Sequence, residues 1–196
     1  MSNEWNYLLL SGSADPRLAY IEDIGGNVSD KSKMTKGVSL KKVISKANTF
    51  SLSEDGGDML GDLVDNTSGV LIVSNRAREV LEAEGVTGDV IEYLPFTLKD
   101  KRGRPTKGEF YVANPLQKIP CMNREKSKFV DSDEDGRILS VRKLTVEPKK
   151  IPNEAKLFRL GEYTRVHVVR LDLAQRLRAE KLTGLTFCEQ GEKFTW

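Results

Sequence analysis

The sequence predicts one compact α+β domain with mixed sheets across residues 1–196. Three observations lead there: a strand–helix–strand pattern that occurs twice, short β signals around both copies, and no low-complexity linker to divide the chain. The first copy, within residues 69–94, begins Gly69-Val-Leu-Ile-Val-Ser-Asn-Arg-Ala-Arg78. The second, within residues 165–188, begins Arg165-Val-His-Val-Val-Arg-Leu-Asp-Leu-Ala174. Placed over each other without gaps, Val70, Val73, Leu81, Ala83, Glu84, Thr87 and Gly88 coincide with Val166, Val169, Leu177, Ala179, Glu180, Thr183 and Gly184. The pattern reads as a duplication; chance similarity between two ordinary amphipathic units is the alternative.

Each copy has local reasons to fold this way. Val70 to Val73 is the short apolar, β-branched run of a strand buried on both faces. Ser74 suits a helix N-cap, and Ala77, Val80 and Leu81 then form an apolar stripe at helical spacing. Gly85 suits the left-handed residue that ends a helix. In the second copy Asp172 takes the capping position, with Gln175 three residues on. Lys181 replaces the terminal glycine there, which favours the helix dipole but is a poorer left-handed residue. The shared Thr-Gly leads into Val90–Leu94 or Leu185–Cys188 as the closing strand.

The remaining elements follow in order. Tyr7 to Leu10 is an opening strand, and Leu18–Ile21 is expected to pair with it. Ser29 to Lys46 is Lys-rich and reads as a loop or edge strand; Phe50–Leu52 is a further short strand. Met59, Leu60, Leu63 and Val64 stand at helical spacing and predict a short helix over 58–64. Val90–Leu98 and Glu109–Ala113 form a hairpin around a charged loop rich in Gly and Pro. Phe129–Val130 and Arg137–Val146 flank an acidic turn, and Lys156–Leu160 is the strand before the second copy. Phe194 and Trp196 are expected to pack back on the body.

Composition narrows the class. Thirty-one basic and twenty-nine acidic side chains nearly cancel, which gives no general argument for nucleic acid or an anionic membrane. The N-terminus lacks a basic signal-peptide region, and no stretch approaches the ~20 apolar residues of a membrane span. Cys121 and Cys188 read as buried or free thiols, and the cytoplasm is the expected compartment.

Few motifs carry chemistry. Asp131-Ser-Asp133-Glu134-Asp135-Gly136 has the opening spacing of a calcium loop, but Arg142 stands where the bidentate Glu belongs. An acidic hairpin turn built on Asp135-Gly136 accounts for the same residues. Arg102-Gly-Arg104-Pro105 resembles a minor-groove DNA hook, but such hooks sit in extended tails, and a solvated hairpin loop is the better account of the same residues. His167 is the only histidine, and it lies inside an apolar strand, where a core role fits better than a catalytic one. No phosphate loop, nucleophile elbow or zinc spacing occurs. The expectation is a binding protein with no catalytic residue, no metal and no cofactor.

Leu71-Ile-Val-Ser-Asn-Arg-Ala-Arg-Glu-Val-Leu-Glu-Ala-Glu-Gly85, Tyr93-Leu-Pro95, Phe110-Tyr-Val-Ala-Asn-Pro-Leu116 and Cys121-Met-Asn-Arg-Glu-Lys-Ser127 occur in succession. Leu157-Phe-Arg-Leu160 and Leu182-Thr-Gly-Leu-Thr-Phe187 follow. This succession resembles the bacterial immunity proteins of polymorphic toxin systems called immunity family eleven. The resemblance covers about Asp58 to Phe187 and is looser over residues 1–57. It implies a protein partner, a toxin encoded nearby, neutralised by stoichiometric binding without catalysis. No site residue is carried over from it. From charge and exposure, the expected contact residues are Asp131, Asp133, Glu134 and Asp135 on the acidic turn, with Arg102 and Arg104 on the basic loop as the second candidate surface.

Overall fold

The computed structural model describes residues 6–22, 24, 27–132 and 134–193. Its first half contains strands β1 (Tyr7–Gly12), β2 (Tyr20–Ile21), β3 (Thr49–Ser51), β4 (Asp65–Asn66) and β5 (Ile72–Ser74), then helix α1 (Asn75–Ala83). The middle holds β6 (Ile91–Lys99), β7 (Phe110–Pro115), β8 (Lys118–Ile119), β9 (Lys128–Asp131) and β10 (Ile138–Lys143). The chain closes with β11 (Leu157–Leu160), β12 (His167–Arg170), α2 (Leu171–Ala179) and β13 (Leu185–Cys188).

Both predicted units form: at the gap-free offset α1 and α2 coincide residue for residue, and β12 begins one residue earlier than β5. The Ser74 hydroxyl accepts the Ala77 amide at 3.1 Å, as an N-cap should. Gly85 (φ +81°) and Lys181 (φ +53°) sit at equivalent left-handed positions, so the lysine carries the backbone cost that glycine avoids. Asp172 departs from expectation. The cap of α2 is Arg170, and Asp172 lies in the first turn with its carboxylate on the Arg170 guanidinium at 2.7 and 2.8 Å. It complements the helix dipole there without capping.

The sheets give the two units the same plan. β5 and β6 both run antiparallel to β7, which lies between them; β3 extends that sheet beside β6. β12 and β13 both run antiparallel to β1, which lies between them; β11 and β8 extend the second sheet beyond β12. Each unit is thus a split β–α–β, its gap filled in one case by the next strand and in the other by the first strand of the chain.

The facing surfaces of the two sheets enclose both helices. Leu71, Val73 and Tyr111 from one sheet, Leu8, Leu10 and Val169 from the other, and Ala77, Leu81, Leu173 and Leu177 from the helices share one core. The outer face of the first sheet is covered by the N-terminal segment through Ile21, Met34, Leu40 and Ile44. The outer face of the second is covered by β9–β10 and its flanks through Val141, Leu144, Val146 and Ile151. Three cores in series make one single domain.

Polar clasps join the layers. Arg159 is fully buried and donates to the carbonyls of Pro115 (3.0 Å), Thr164 (2.8 Å) and Met34 (3.3 Å) and to Asn114 Oδ1 (3.2 Å). Asn114 Nδ2 in turn donates to Glu92 Oε2 at 3.1 Å, and Glu92 also accepts from the Leu40 amide. Burial lowers the Arg159 pKa to about 10, so it stays charged. On the opposite side Asp62 accepts from Ser74 Oγ, Arg76 Nη1 and both the amide and hydroxyl of Thr183, tying one unit to the other.

Two local expectations fail. Residues 58–64 form no helix: Met59 and Gly57 spend their backbone hydrogen bonds on Arg17, Leu18 and Ala19. Tyr20–Ile21 pairs in parallel with Asp65–Asn66 and not with β1, whose two edges are taken by β12 and β13. Residues 29–46 are a loop with a 3-10 turn at Lys31–Thr35, whose Met34 is buried. Phe194 and Trp196 lie outside the described residues.

Candidate functional site

The acidic turn sits at the tip of the β9–β10 hairpin. Ile138 and Val141 point into the core, whereas Val130 (44% exposed) and Leu139 (51% exposed) face outward. Leu139 faces out by strand alternation after Ile138, and a register shift between Ile138 and Ser140 lets Ile138 and Val141, three residues apart, both face inward. The tip is held by the Ser132 amide on the Arg137 carbonyl and the Gly136 amide on the Ser132 carbonyl, both 2.9 Å. Asp135 accepts the Arg137 amide at 3.0 Å, and that hydrogen bond holds its carboxyl below the usual range. Asp131, Glu134 and Asp135 are exposed; Asp133 lies outside the described residues. Among the described residues no three His, Cys, Asp or Glu side chains come together as a metal set.

The basic loop between β6 and β7 is folded tightly. Asp100 Oδ1 accepts the backbone amides of Arg102 and Arg104, and its Oδ2 binds the Arg104 guanidinium at 2.8 and 2.9 Å. Gly103 turns the chain at φ +74°. Lys101 is committed to Asp58 at 2.9 Å. The extended Arg-Gly-Arg of a minor-groove hook is therefore not the conformation here: of the two arginines, Arg104 is neutralised and Arg102 projects into solvent.

The nucleophile and base candidates are kept apart. His167 faces the helix-bearing core with its cross-strand neighbour Leu10, while Cys121 and Cys188 lie with the core on the other face of the same sheet. The sheet separates the imidazole from both thiols. Burial pushes the Cys121 thiol up to about 12 and, with Arg159 adding to it, drives His167 well below its ordinary value. Both groups are neutral near pH 7.

Sequence reasoning missed a cleft where β1 and β12 meet the N-terminal segment. A cavity of about 220 Å³ is lined by Asp15, Tyr20, Asp55 and Gly57 among others. An adjoining one of about 60 Å³ is lined by Ser11, Asn66, Arg165 and His167. Leu63 and Asp65 line both. Burial raises the Asp65 pKa, and no cation lies within 4 Å of it among the described residues. β1 passes so close that a Cβ on Gly12 would come within 2.3 Å of the Asp65 carboxyl. Asp15 differs: Arg17 pairs with it at 2.6 Å, and that hydrogen bond lowers its pKa to about 2. Asp65 carries no motif; only tertiary structure brings its surroundings together.

The profile of the immunity protein family Imm11 matches residues 24–192. The chain belongs to the Imm11 immunity protein family. The match reaches into all three cores of this Imm11 protein, from the N-terminal layer through the acidic hairpin to the turn after β13, and leaves out β1 and β2. It also reaches well upstream of Asp58, where the sequence resemblance was looser. None of the curated proteins matches this chain. No helix among the described residues is long and apolar enough to cross a membrane.

Proposed function

We propose that this Imm11 protein neutralises a toxin encoded beside it, in the cytoplasm of the producing cell, by stoichiometric binding and without turnover. The observation that carries the reading is the family match across residues 24–192. The placement of the reactive groups supports it, because the imidazole and the thiols lie on opposite faces of one sheet. Asp131, Asp133, Glu134 and Asp135 are the contact residues we assign to the hairpin, with Val130 and Leu139 as apolar neighbours. Acidic rim charges speed association with a basic partner surface, so neutralising them slows binding most at low salt. Arg102 is the exposed cation of the second candidate surface, and Arg104 is tied to Asp100.

The test is co-expression with the adjacent gene's toxin domain. The expected result is restored growth and a stable complex through size-exclusion chromatography. Continued growth arrest, with no complex between the purified proteins, refutes the proposal.

A further inference from the structure

We propose that the cleft at Asp65 is an anchor site that takes an arginine side chain of the toxin, with the guanidinium on the Asp65 carboxylate and His167 Nε2 as a further acceptor. The proposal rests on the reading that this protein neutralises its toxin by binding.

Four observations carry it. First, the place is concave: the two cavities meet at Asp65 and Leu63. Second, the Asp65 carboxylate is exposed to the cleft and no cation pairs with it among the described residues, Arg165 on the inner cavity included, although Asp15 on the same wall is paired with Arg17. An unpaired carboxylate at a concave site can take a fork-shaped cation in two charge-assisted hydrogen bonds. Third, His167 is 4% exposed, lines the inner cavity, and has an Nε2 with no hydrogen-bond partner among the described residues. Buried polar atoms are nearly always satisfied, so an unsatisfied one beside a cavity marks a place for a donor. The imidazole is neutral, and with its proton on Nδ1 the Nε2 accepts. Fourth, Met59 (53% exposed) pairs with Leu18 of the cleft lining and Leu60 (37% exposed) follows it, exposed apolar surface for an aliphatic stem.

Arginine fits better than lysine. Its planar fork donates to a carboxylate in two parallel bonds and leaves further N–H groups for a second acceptor, which an ammonium does not reproduce. Anchors in desolvated pockets govern dissociation, while rim charges govern association. The cleft and the hairpin therefore separate kinetically.

The experiment measures binding of a catalytically inactivated toxin domain, the product of the adjacent gene, to the full-length protein by biolayer interferometry. Asp65→Asn keeps the shape and removes the charge. The expected result is a Kd at least tenfold weaker, almost all in the off-rate, with His167→Gln also dissociating faster. The hairpin variant Asp131→Asn/Glu134→Gln/Asp135→Asn changes the on-rate instead. A wild-type Kd for Asp65→Asn, with cooperative unfolding intact, overturns the cleft and leaves neutralisation by binding standing. If that variant does not fold, His167→Gln decides, and an unchanged off-rate again overturns the cleft. Absence of any binding by the wild-type protein overturns the proposed function itself.

Discussion

Asn114→Ala is the perturbation that most directly probes how this fold is held together. Asn114 is fully buried at the junction of three layers. Its Nδ2 donates to the Val38 carbonyl (2.9 Å) and to Glu92 Oε2 (3.1 Å), and its Oδ1 accepts from Arg159 Nη2 (3.2 Å). The amide relays between a buried anion and a buried cation that do not touch each other. Alanine removes two hydrogen bonds to charged groups, roughly 1.5 kcal/mol each at the low end, and a neutral one of about 1 kcal/mol, so the loss should be about 4 kcal/mol. With an m-value of about 2 kcal/mol/M, the urea midpoint falls by roughly 2 M. Urea unfolding followed by far-UV circular dichroism reads this directly. In the Glu92→Gln background the penalty should shrink, because the anion that needs the relay is gone. A midpoint shift below about 0.5 M, or full additivity with Glu92→Gln, would refute the relay.

Further outcomes follow from the same geometry. His167 is the chain's one histidine and its folded pKa lies well below 6.5, so the unfolded chain binds the extra proton. Stability is present above pH 6.5 and falls as pH drops below it, by up to about 1.4 kcal/mol per pH unit, and urea midpoints between pH 7.5 and 5.5 should show a loss that His167→Gln abolishes. Cys121 has the opposite sign: its folded pKa is raised to about 12 from 9.0, so stability falls as pH climbs past 9, and in the native protein at pH 8 a thiol reagent should modify half-buried Cys188 well before Cys121. Lys181→Gly relieves a left-handed lysine and should raise stability by about 0.5–1 kcal/mol, read as a higher thermal midpoint.

The parts legible in sequence are those whose causes are local. The β-branched runs at Val70–Val73 and Val166–Val169, the Ser74 cap and the left-handed position at Gly85 and Lys181 repeat because each unit must make the same turns. The two hairpins were legible from Gly, Pro and Asp-Gly signals. What was not legible comes from distant partners. Nothing in Tyr7–Gly12 announces that it fills the gap between β12 and β13, some 160 residues away by sequence. Met59 and Leu60 have helical spacing, yet the neighbouring glycines let this stretch lie against Arg17 and Gly184. Asp172 was expected to cap α2 but falls in its first turn, one position past the start of the helix, where its carboxylate pairs with Arg170. For the candidate site the acidic hairpin was visible as a charge run, whereas Asp65 and His167 become neighbours only when β4 and β12 meet across the seam.

The central claim is that one molecule of this Imm11 protein silences one molecule of toxin by covering it. The most direct measurement is residual toxin activity against increasing molar ratio of the immunity protein, at toxin concentrations far above Kd. A linear fall to zero with its break at equimolar ratio is the predicted result. Complete protection at a small fraction of equimolar would mean that each molecule inactivates many, and would contradict the claim.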